Sequence, residues 1–526
     1  MKLSIILNKG VDFKVKGFCR KYGFDFIFAL CFLFLSFLFL FPFISLMIRS
    51  FSLSSFLDVI RQPYLYRILF NTLRQAVLSV LLSLFVAGVC LFVVCRADFK
   101  FKEFFMSVTY LPFVIPSIII VLAFVLLFGK NSPLHINILY SLKAVVIAHA
   151  FYNFPVIMHP VYETYMCMNR SKEDVSYTLG AKPVRVFFTI TLRELRNTFL
   201  SSLLLVFMYC FSSFAIVLTL GGGIKNTTLE TEIYKNFKTT LNQTLGTAYA
   251  LVSFLIMLLM TALYFALNAK GKTEKTAKRR ILKKGGIMSS VFALIFGIVI
   301  LAPVIRIVLF SFFPSGGRGR MNVFKAYGNV FSHYNVIINS MLVAFISASI
   351  CVFLSFVISE YFVRRNKNLS AAVVFLPLSV SGIALSEGWR AVSGSGYFFS
   401  VITLSCVHAF LSFPLIYRYI DSGVRKIPLS VRNVSLTLGC DETYSVFKCD
   451  ANILKSTLVK GFALALALSL GEVSSVLIVS RSSFTTLSGA IYSYISGYDY
   501  ASGASAAVVL IVLSFLLTHI AGRKAK

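Results

Sequence analysis

Long apolar runs are the feature of this chain that most constrains its fold. A helix needs roughly 20 apolar residues to cross a bilayer. The sequence contains twelve runs of about that length, with approximate ranges 26–48, 72–95, 104–128, 139–161, 197–219, 247–268, 287–312, 337–362, 369–387, 399–420, 457–479 and 501–521. At 58% hydrophobic residues, the chain has more apolar surface than a soluble fold could bury. We therefore predict an all-α polytopic membrane protein with about 12 transmembrane helices.

The basic residues lie where cytoplasmic loops are expected. A formal net charge of +31 would suggest nucleic-acid binding in a soluble protein, but cytoplasmic loops of membrane proteins collect Lys and Arg. The segments 1–25 and 269–286 are both basic, and an even number of predicted helices separates them. We expect both termini in the cytoplasm, contact with membrane lipid and no nucleic-acid partner.

Two phrases of the sequence occur twice at one separation. The stretch His149-Ala-Phe-Tyr-Asn-Phe-Pro155 is echoed from His408 to Pro414, and DVSYTLG at 174–180 is echoed by NVSLTLG at 433–439, in both cases 259 residues later. Repetition at one offset predicts two tandem halves of six helices, related by an axis along the membrane normal. The predicted organisation is an N-terminus 1–25, a first transmembrane domain 26–268, a linker 269–286, a second transmembrane domain 287–521 and a C-terminus 522–526.

The second repeated phrase predicts a short capped helix in each half. Each copy lies in a cytoplasmic loop of about 35 residues, which is longer than a helix hairpin needs. Apolar residues recur at helical spacing and a glycine follows them, which suits a left-handed helix end; the residues are Val175, Leu179 and Gly180 in the first copy, and Val434, Leu438 and Gly439 in the second. Such a stripe suits a groove on a partner. The alternative is a helix that lies on lipid or packs on its own bundle.

The loop of the first half resembles the EAA loop of ATP-binding-cassette importer permeases. The family pattern is Glu-Ala-Ala, three residues, Gly, nine residues and Ile-x-Leu-Pro, and this chain has Asp174-Val-Ser-Tyr-Thr-Leu-Gly180-Ala181 followed by Ile190-Thr-Leu192. In the second copy Asn433 replaces the acid. The fused two-domain layout is similar to thiamine and ferric-iron permeases, and the stretches Phe211 to Gly223 and Thr227 to Tyr234 look most like thiamine permeases.

The resemblance implies a membrane subunit with two type I importer-like repeats. It implies partners of three kinds: two copies of an ABC ATPase subunit, a periplasmic or extracellular substrate-binding protein, and a small-molecule substrate. The best substrate prediction is thiamine or its phosphates, with ferric iron as the alternative. The residues expected to contact the ATPase are Asp174, Val175, Leu179, Gly180, Ala181, Val434, Leu438 and Gly439. The chain has no Walker signature, so we expect no catalytic residue and no cofactor, and ATP hydrolysis in a separate subunit.

Four polar residues within the apolar runs are candidates for the translocation pathway. An ionisable side chain inside a membrane is costly unless it faces protein or water, so Glu472 should face the bundle interior. Its counterpart 259 residues earlier is Ser213. The paired His149 and His408 are candidates too, although a buried histidine is commonly a structural hydrogen-bonding group. We expect no disulfide and no metal site, because the ten cysteines show no CxxC pair.

A secondary transporter driven by an ion gradient is the alternative of a different class. Twelve helices in two parallel halves also suit that architecture. The loop after the second run, Arg96 to Lys100, is short and lacks the glycine-rich signature expected there. Intramembrane carboxylates are also few, with Glu472 the clearest. The long duplicated loops favour the ATP-driven importer.

Overall fold

The fold was obtained as a computed structural model of the chain. It describes residues 2–129, 136, 138–169, 171–268, 283–284, 286–314, 323–365, 376–394, 396–480 and 484–523. Most of the expected linker, 269–282 and 285, and residues 524–526 of the expected C-terminus lie outside the described residues. In the described part helices dominate, and one parallel pair of two-residue strands, β1 (Ala97–Asp98) and β2 (Lys283–Lys284), joins a loop of the first half to the expected linker.

The first half consists of helices α1 to α12. Their bounds are α1 (Lys2–Ser50), α2 (Leu53–Arg61), α3 (Pro63–Val94), α4 (Lys102–Val114), α5 (Ser117–Phe128), α6 (Leu142–Cys167), α7 (Ser171–Thr178), α8 (Pro183–Val186), α9 (Leu192–Phe211), α10 (Ala215–Leu220), α11 (Leu229–Tyr234) and α12 (Gln243–Asn268). Two π-helical segments, Phe187–Thr191 and Lys235–Thr239, and a 3-10 turn, Gly223–Asn226, connect them.

The second half repeats this order. Its helices are α13 (Ile287–Phe312), α14 (Val323–Ser332), α15 (Tyr334–Arg364), α16 (Gly382–Val392), α17 (Tyr397–Val424), α18 (Leu429–Thr437), α19 (Glu442–Tyr444), α20 (Ala451–Ile453), α21 (Lys455–Gly471), α22 (Ser474–Val479), α23 (Leu487–Ser496) and α24 (Tyr500–Arg523). A 3-10 turn, Leu376–Ser379, precedes α16, and a π-helical segment, Ser445–Asp450, precedes α20.

Matching helices pack in the same way in both halves. In the first half α3, α6 and α9 pack against one another, and in the second half α15, α17 and α21 do the same. The short helices α10 and α22 begin and end 259 residues apart, at the separation seen in the repeated phrases. The predicted all-α membrane fold with two tandem halves is therefore confirmed.

The spans are less continuous than the apolar runs. By length and composition, eight described helices could cross a membrane, and ten could if each strongly bent helix pair counts as one span. The third run bends by 98° between α4 and α5. The fifth and eleventh runs break before α10 and α22, and the described part of the ninth run is a 3-10 turn followed by the short helix α16. The twelve runs thus do not give twelve straight helices, because hydropathy does not register these breaks.

The first helix of each half packs across to the other half. Helix α1 lies against α16 and α15 of the second half, and α13 lies against α5 and α4 of the first. At the first of these contacts Gly388 lies against the backbone of Pro42, which its missing side chain permits. This exchange joins the two halves into one bundle.

Candidate functional site

The short helix α7, which carries the first copy of the repeated phrase, ends in a glycine-dependent cap. Gly180 has φ +81°, the left-handed region that glycine adopts without strain. The Gly180 N–H donates to the Tyr177 carbonyl at 3.0 Å, and the Ala181 N–H donates to the Ser176 carbonyl at 3.0 Å. These two bonds form a Schellman cap, which satisfies carbonyls that the helix end leaves open.

The short helix α18, which carries the second copy, ends in the same way. Gly439 has φ +85°. Its N–H donates to the Leu436 carbonyl at 3.0 Å, and the Cys440 N–H donates to the Ser435 carbonyl at 3.1 Å. The glycine stops expected from the sequence therefore have the same backbone geometry in both halves.

The apolar stripes of the two helices face away from the bundle. The exposed fractions are 57% for Val175, 81% for Leu179, 55% for Val434 and 78% for Leu438. Asp174 is also exposed, and Ala181 is partly covered. These four apolar side chains do not pack on their own bundle, so packing within the protein does not account for the stripes. Each half offers a matching apolar patch that is suited to a partner surface or to lipid.

A polar contact beneath each helix ties it to the bundle, and the sequence analysis missed both contacts. In the first half the Thr191 hydroxyl donates to Glu173 Oε1 at 2.6 Å, and both side chains are buried. The equivalent positions 259 residues later hold Arg432 and Asp450. The sequence signal that could have indicated these contacts is a pair of polar residues that recurs 259 residues later, although the residue types differ between the halves.

In the second half the contact is part of a buried ionic cluster. Arg364 Nη2 donates to Asp450 Oδ2 at 2.6 Å and Arg364 Nε to Glu360 Oε2 at 3.3 Å. Arg432 Nη2 donates to Glu360 Oε1 at 3.4 Å and to the Val424 carbonyl at 2.9 Å. The side chains of these four charged residues are at most 6% exposed. The cluster therefore joins α18 to the end of α15 and to the π-helical segment Ser445–Asp450.

The four candidate pathway residues lie together at two adjoining cavities between the halves. His149, Ser213 and Glu472 line a cavity of about 200 Å³. Glu472 and His408 line a second cavity of about 140 Å³. The two cavities share walls formed by Phe113, Ser117, Tyr152, Leu415, Leu468 and Glu472. The four candidates, each from a different apolar run, thus lie around one region of the bundle.

The helix breaks contribute polar residues to the lining of these cavities. Ser213 lies between α9 and α10, and Glu472 lies between α21 and α22. The backbone N–H of Ser474 donates to Glu472 Oε1 at 2.9 Å, and the Ser474 hydroxyl also contacts that oxygen. Broken helices at membrane depth are tolerated where they are buried in protein or line a cavity. Both breaks meet that condition here.

Both histidines are buried and hydrogen-bonded to serines. His149 Nε2 lies 2.8 Å from Ser213 Oγ. His408 Nδ1 lies 2.8 Å from Ser469 Oγ, and its Nε2 lies 2.8 Å from Ser475 Oγ. These contacts support the structural interpretation of the pair, and they also fix two histidine side chains at the cavity walls.

Comparison with known proteins identifies the class of this molecule. Residues 79–272 match the family described as binding-protein-dependent transport system inner membrane component. The thiamine transport system permease protein ThiP of Haemophilus influenzae is 22% identical over 486 residues, covering 86% of this chain and 88% of that protein. ThiP of Escherichia coli K12 is 23% identical over 490 residues, covering 87% and 88%. The Fe(3+)-transport system permease protein FbpB 2 of Haemophilus influenzae is 21% identical over 496 residues, covering 90% and 93%.

Proposed function

Because this chain is a binding-protein-dependent inner-membrane permease of the ABC type, we propose that it is the membrane subunit of a thiamine importer. Thiamine is preferred because relatives named as thiamine permeases are similar along most of the chain. The relative named as a ferric-iron permease keeps iron as the second candidate. An ion-driven secondary transporter is disfavoured, because the family match covers residues 79–272, which include the long loop of the first half.

The observation that carries the proposal is the duplicated exposed stripe on α7 and α18. Each stripe ends at a glycine with positive φ, and each half has one copy. A short helix with a narrow apolar stripe is suited to a groove on another protein. Two copies at equivalent positions favour a partner that is itself present twice, as an ATPase dimer would be.

In this proposal the chain transmits motion and does not hydrolyse ATP. Closure of two ATPase subunits draws α7 and α18 together and opens the bundle toward an external binding protein. The buried contacts beneath the helices, Glu173 with Thr191 and Arg432 with its cluster, make each helix move with its half of the bundle. Both termini and the two helices then lie on the cytoplasmic face.

Co-purification with candidate ATPase subunits tests the docking of α7 and α18. Leu179→Ser and Leu438→Ser should each reduce recovery of the ATPase, because each removes a large exposed apolar side chain from the proposed interface. Leu241→Ser is the matched control, since Leu241 is 72% exposed but lies outside both helices. Equal recovery with all three variants would refute docking through these helices.

Uptake by the assembled transporter tests the substrate. Proteoliposomes that contain the chain, the ATPase and the binding protein should accumulate labelled thiamine only when ATP is supplied inside. Accumulation of ferric iron in place of thiamine would select the second candidate. Uptake driven by a proton gradient without ATP would refute the importer itself.

A further inference from the structure

We propose that the adjoining cavities between the two halves form a binding station for an organic cation, held by the Glu472 carboxylate and the aromatic rings of Phe113, Tyr152 and Tyr209. The inference rests on the proposed importer function and adds the class of substrate that the membrane subunit itself recognises. It therefore assigns a specificity-determining site to this chain, in addition to any selectivity of an external binding protein.

The first argument is the charge of the lining. Glu472 is the one acidic side chain that lines the two cavities, and no Lys or Arg lines either of them among the described residues. The hydrogen bonds recorded for its carboxylate come from the backbone N–H and the hydroxyl of Ser474. A carboxylate in an apolar surrounding is costly without a compensating positive charge. A cationic ligand would supply that charge, whereas an anionic ligand would be repelled.

The second argument is the aromatic wall. The ring centroids of Phe113 and Tyr152 are 5.9 Å apart, and those of Phe113 and Tyr209 are 6.2 Å apart. All three rings belong to the lining, beside Glu472. Aromatic faces attract organic cations through their quadrupole, and the attraction is stronger away from bulk water. A carboxylate beside several aromatic rings is thus suited to a nitrogen cation with an apolar surface.

The third argument is a pair of polar atoms without a hydrogen-bond partner. The Tyr209 hydroxyl and Asn153 Oδ1 are buried, and neither has a hydrogen-bond partner among the described residues. Both residues line the larger cavity. Buried polar groups are normally satisfied, so unpaired ones at a cavity indicate contact with a ligand. Here the ligand would carry a hydrogen-bond donor for the Asn153 oxygen.

The same lining is poorly suited to a bare ferric ion. Hard cations need several oxygen ligands at close range, and Glu472 is the one carboxylate at the cavities. Within the described part of the chain, no group of three or more His, Cys, Asp and Glu residues is arranged to hold a metal ion. The two cavities, about 200 Å³ and about 140 Å³, offer space on the scale of a small organic molecule.

Binding to the full-length chain in lipid nanodiscs tests the station without the other subunits. Labelled thiamine is the probe, with choline and ferric citrate as competitors. Glu472→Gln should weaken thiamine binding about tenfold or more, because the loss of one close ion pair in a water-poor site lowers the affinity by at least about a factor of ten. Tyr209→Phe should weaken it by a few-fold, and choline should compete while ferric citrate should not.

Two matched variants control for general effects of substitution. Glu163→Gln changes an exposed carboxylate on α6, the helix that carries Tyr152, and Phe254→Leu changes a phenylalanine that lines neither cavity. Both should keep the wild-type affinity. If Glu472→Gln does not remain monodisperse, two milder variants keep the test decisive: Glu472→Asp shortens the side chain but keeps its charge, and Tyr209→Phe removes only the hydroxyl. Both should still weaken thiamine binding.

The outcomes separate this inference from the proposed function. If the assembled transporter imports thiamine with ATP, but Glu472→Gln and Tyr209→Phe keep the wild-type affinity and KM, the station is refuted and the importer stands. If the wild-type chain in nanodiscs binds neither thiamine nor choline, the station is refuted whatever the uptake assay shows. If both cations bind at Glu472 while uptake selects iron, the station is supported and the thiamine assignment fails.

Discussion

Arg432 lies beside Asp450 beneath helix α18, with Arg432 Nε 3.6 Å from Asp450 Oδ2. The equivalent positions of the first half hold Glu173 and Thr191, joined by a hydrogen bond of 2.6 Å. The two halves therefore attach α7 and α18 at the same place with different chemistry. One attachment contains two arginines and two carboxylates, and the other contains one carboxylate and one hydroxyl.

Removing Asp450 should destabilise the protein more than removing its counterpart. Asp450→Asn leaves Arg364 and Arg432 buried with less compensating charge, and breaking a buried ion pair in this way costs about 3–5 kcal/mol. Thr191→Val removes one hydrogen bond to Glu173 and should cost about 1–3 kcal/mol. Thermal unfolding of the two purified variants measures the difference. A Tm for Thr191→Val as low as that for Asp450→Asn would contradict the expectation that the ionic cluster contributes more to stability than the single hydrogen bond.

Alanine at the glycine caps should impair coupling between ATP hydrolysis and transport. The positions of Gly180 and Gly439 have open space for a Cβ, so the cost comes from positive φ and amounts to about 1–2 kcal/mol at each position. We expect ATP-driven uptake to fall in both variants. Gly180→Ala should be at least as harmful as Gly439→Ala, because the acidic residue of the motif is present in the first half as Asp174 and is replaced in the second half by Asn433.

Asparagine at the same two positions is the control. Asn tolerates the left-handed region better than Ala, so Gly180→Asn and Gly439→Asn should retain more uptake. Measured ATPase rates with and without the substrate-loaded binding protein separate loss of coupling from loss of assembly. A clearly larger loss of uptake in Gly439→Ala than in Gly180→Ala would contradict this order and show that the second copy of the motif contributes more to coupling.

Glu230 should make stability depend on pH. Its carboxylate, on the short helix α11, accepts hydrogen bonds from Ser253 Oγ at 3.0 Å and from Ser381 Oγ of the second half at 2.6 Å. Burial raises the pKa of Glu230 from 4.5 to about 7, and the two serine hydrogen bonds lower it in part. A raised carboxyl pKa contributes stability that is fully present below the unfolded-state pKa and is lost as the pH rises through the folded-state pKa.

The expected loss between pH 4.5 and pH 7 is on the order of 3 kcal/mol, from about 1.4 kcal/mol for each pKa unit. Glu230→Gln removes the titrating group, so its Tm relative to that of the wild type should rise between pH 5 and pH 8. Glu103→Gln, at an exposed carboxylate, is the control and should run parallel to the wild type. Equal pH dependence of the wild type and Glu230→Gln would be evidence against a buried, protonated Glu230.

Two glycines should respond differently to substitution by alanine. A Cβ on Gly388 would lie 2.2 Å from the Pro42 carbonyl oxygen, so Gly388→Ala must push α1 away from α16 and should cost about 1–3 kcal/mol. A Cβ on Gly88 meets nothing within 4 Å, and Ala is favoured over Gly within a helix by up to about 1 kcal/mol. Gly88→Ala should therefore leave the Tm unchanged or raised. Similar Tm values for the two variants would argue against the close contact between α1 and α16.

Much of the site was predictable because its signals are local or repeated. The two glycine caps follow from a short apolar stripe with a glycine after it, and both have the expected backbone geometry. Glu472 and Ser213 were linked by the repeat offset alone, and they do line the same cavity. The aromatic wall was not predictable, because Phe and Tyr occur throughout the chain and only packing selects Phe113, Tyr152 and Tyr209.

The sequence by itself determined that the protein belongs in a membrane, that it is duplicated, and where the short helices α7 and α18 lie along the chain, because hydropathy, repetition and helix stops are properties of short stretches. The tertiary structure alone decided where the spans break, how α1 and α13 cross between the halves, and how Arg432 is neutralised by Glu360 and Asp450. Those features depend on contacts between residues far apart in the chain. Such contacts are selected by the burial of charge and by close packing, and neither can be read from one segment.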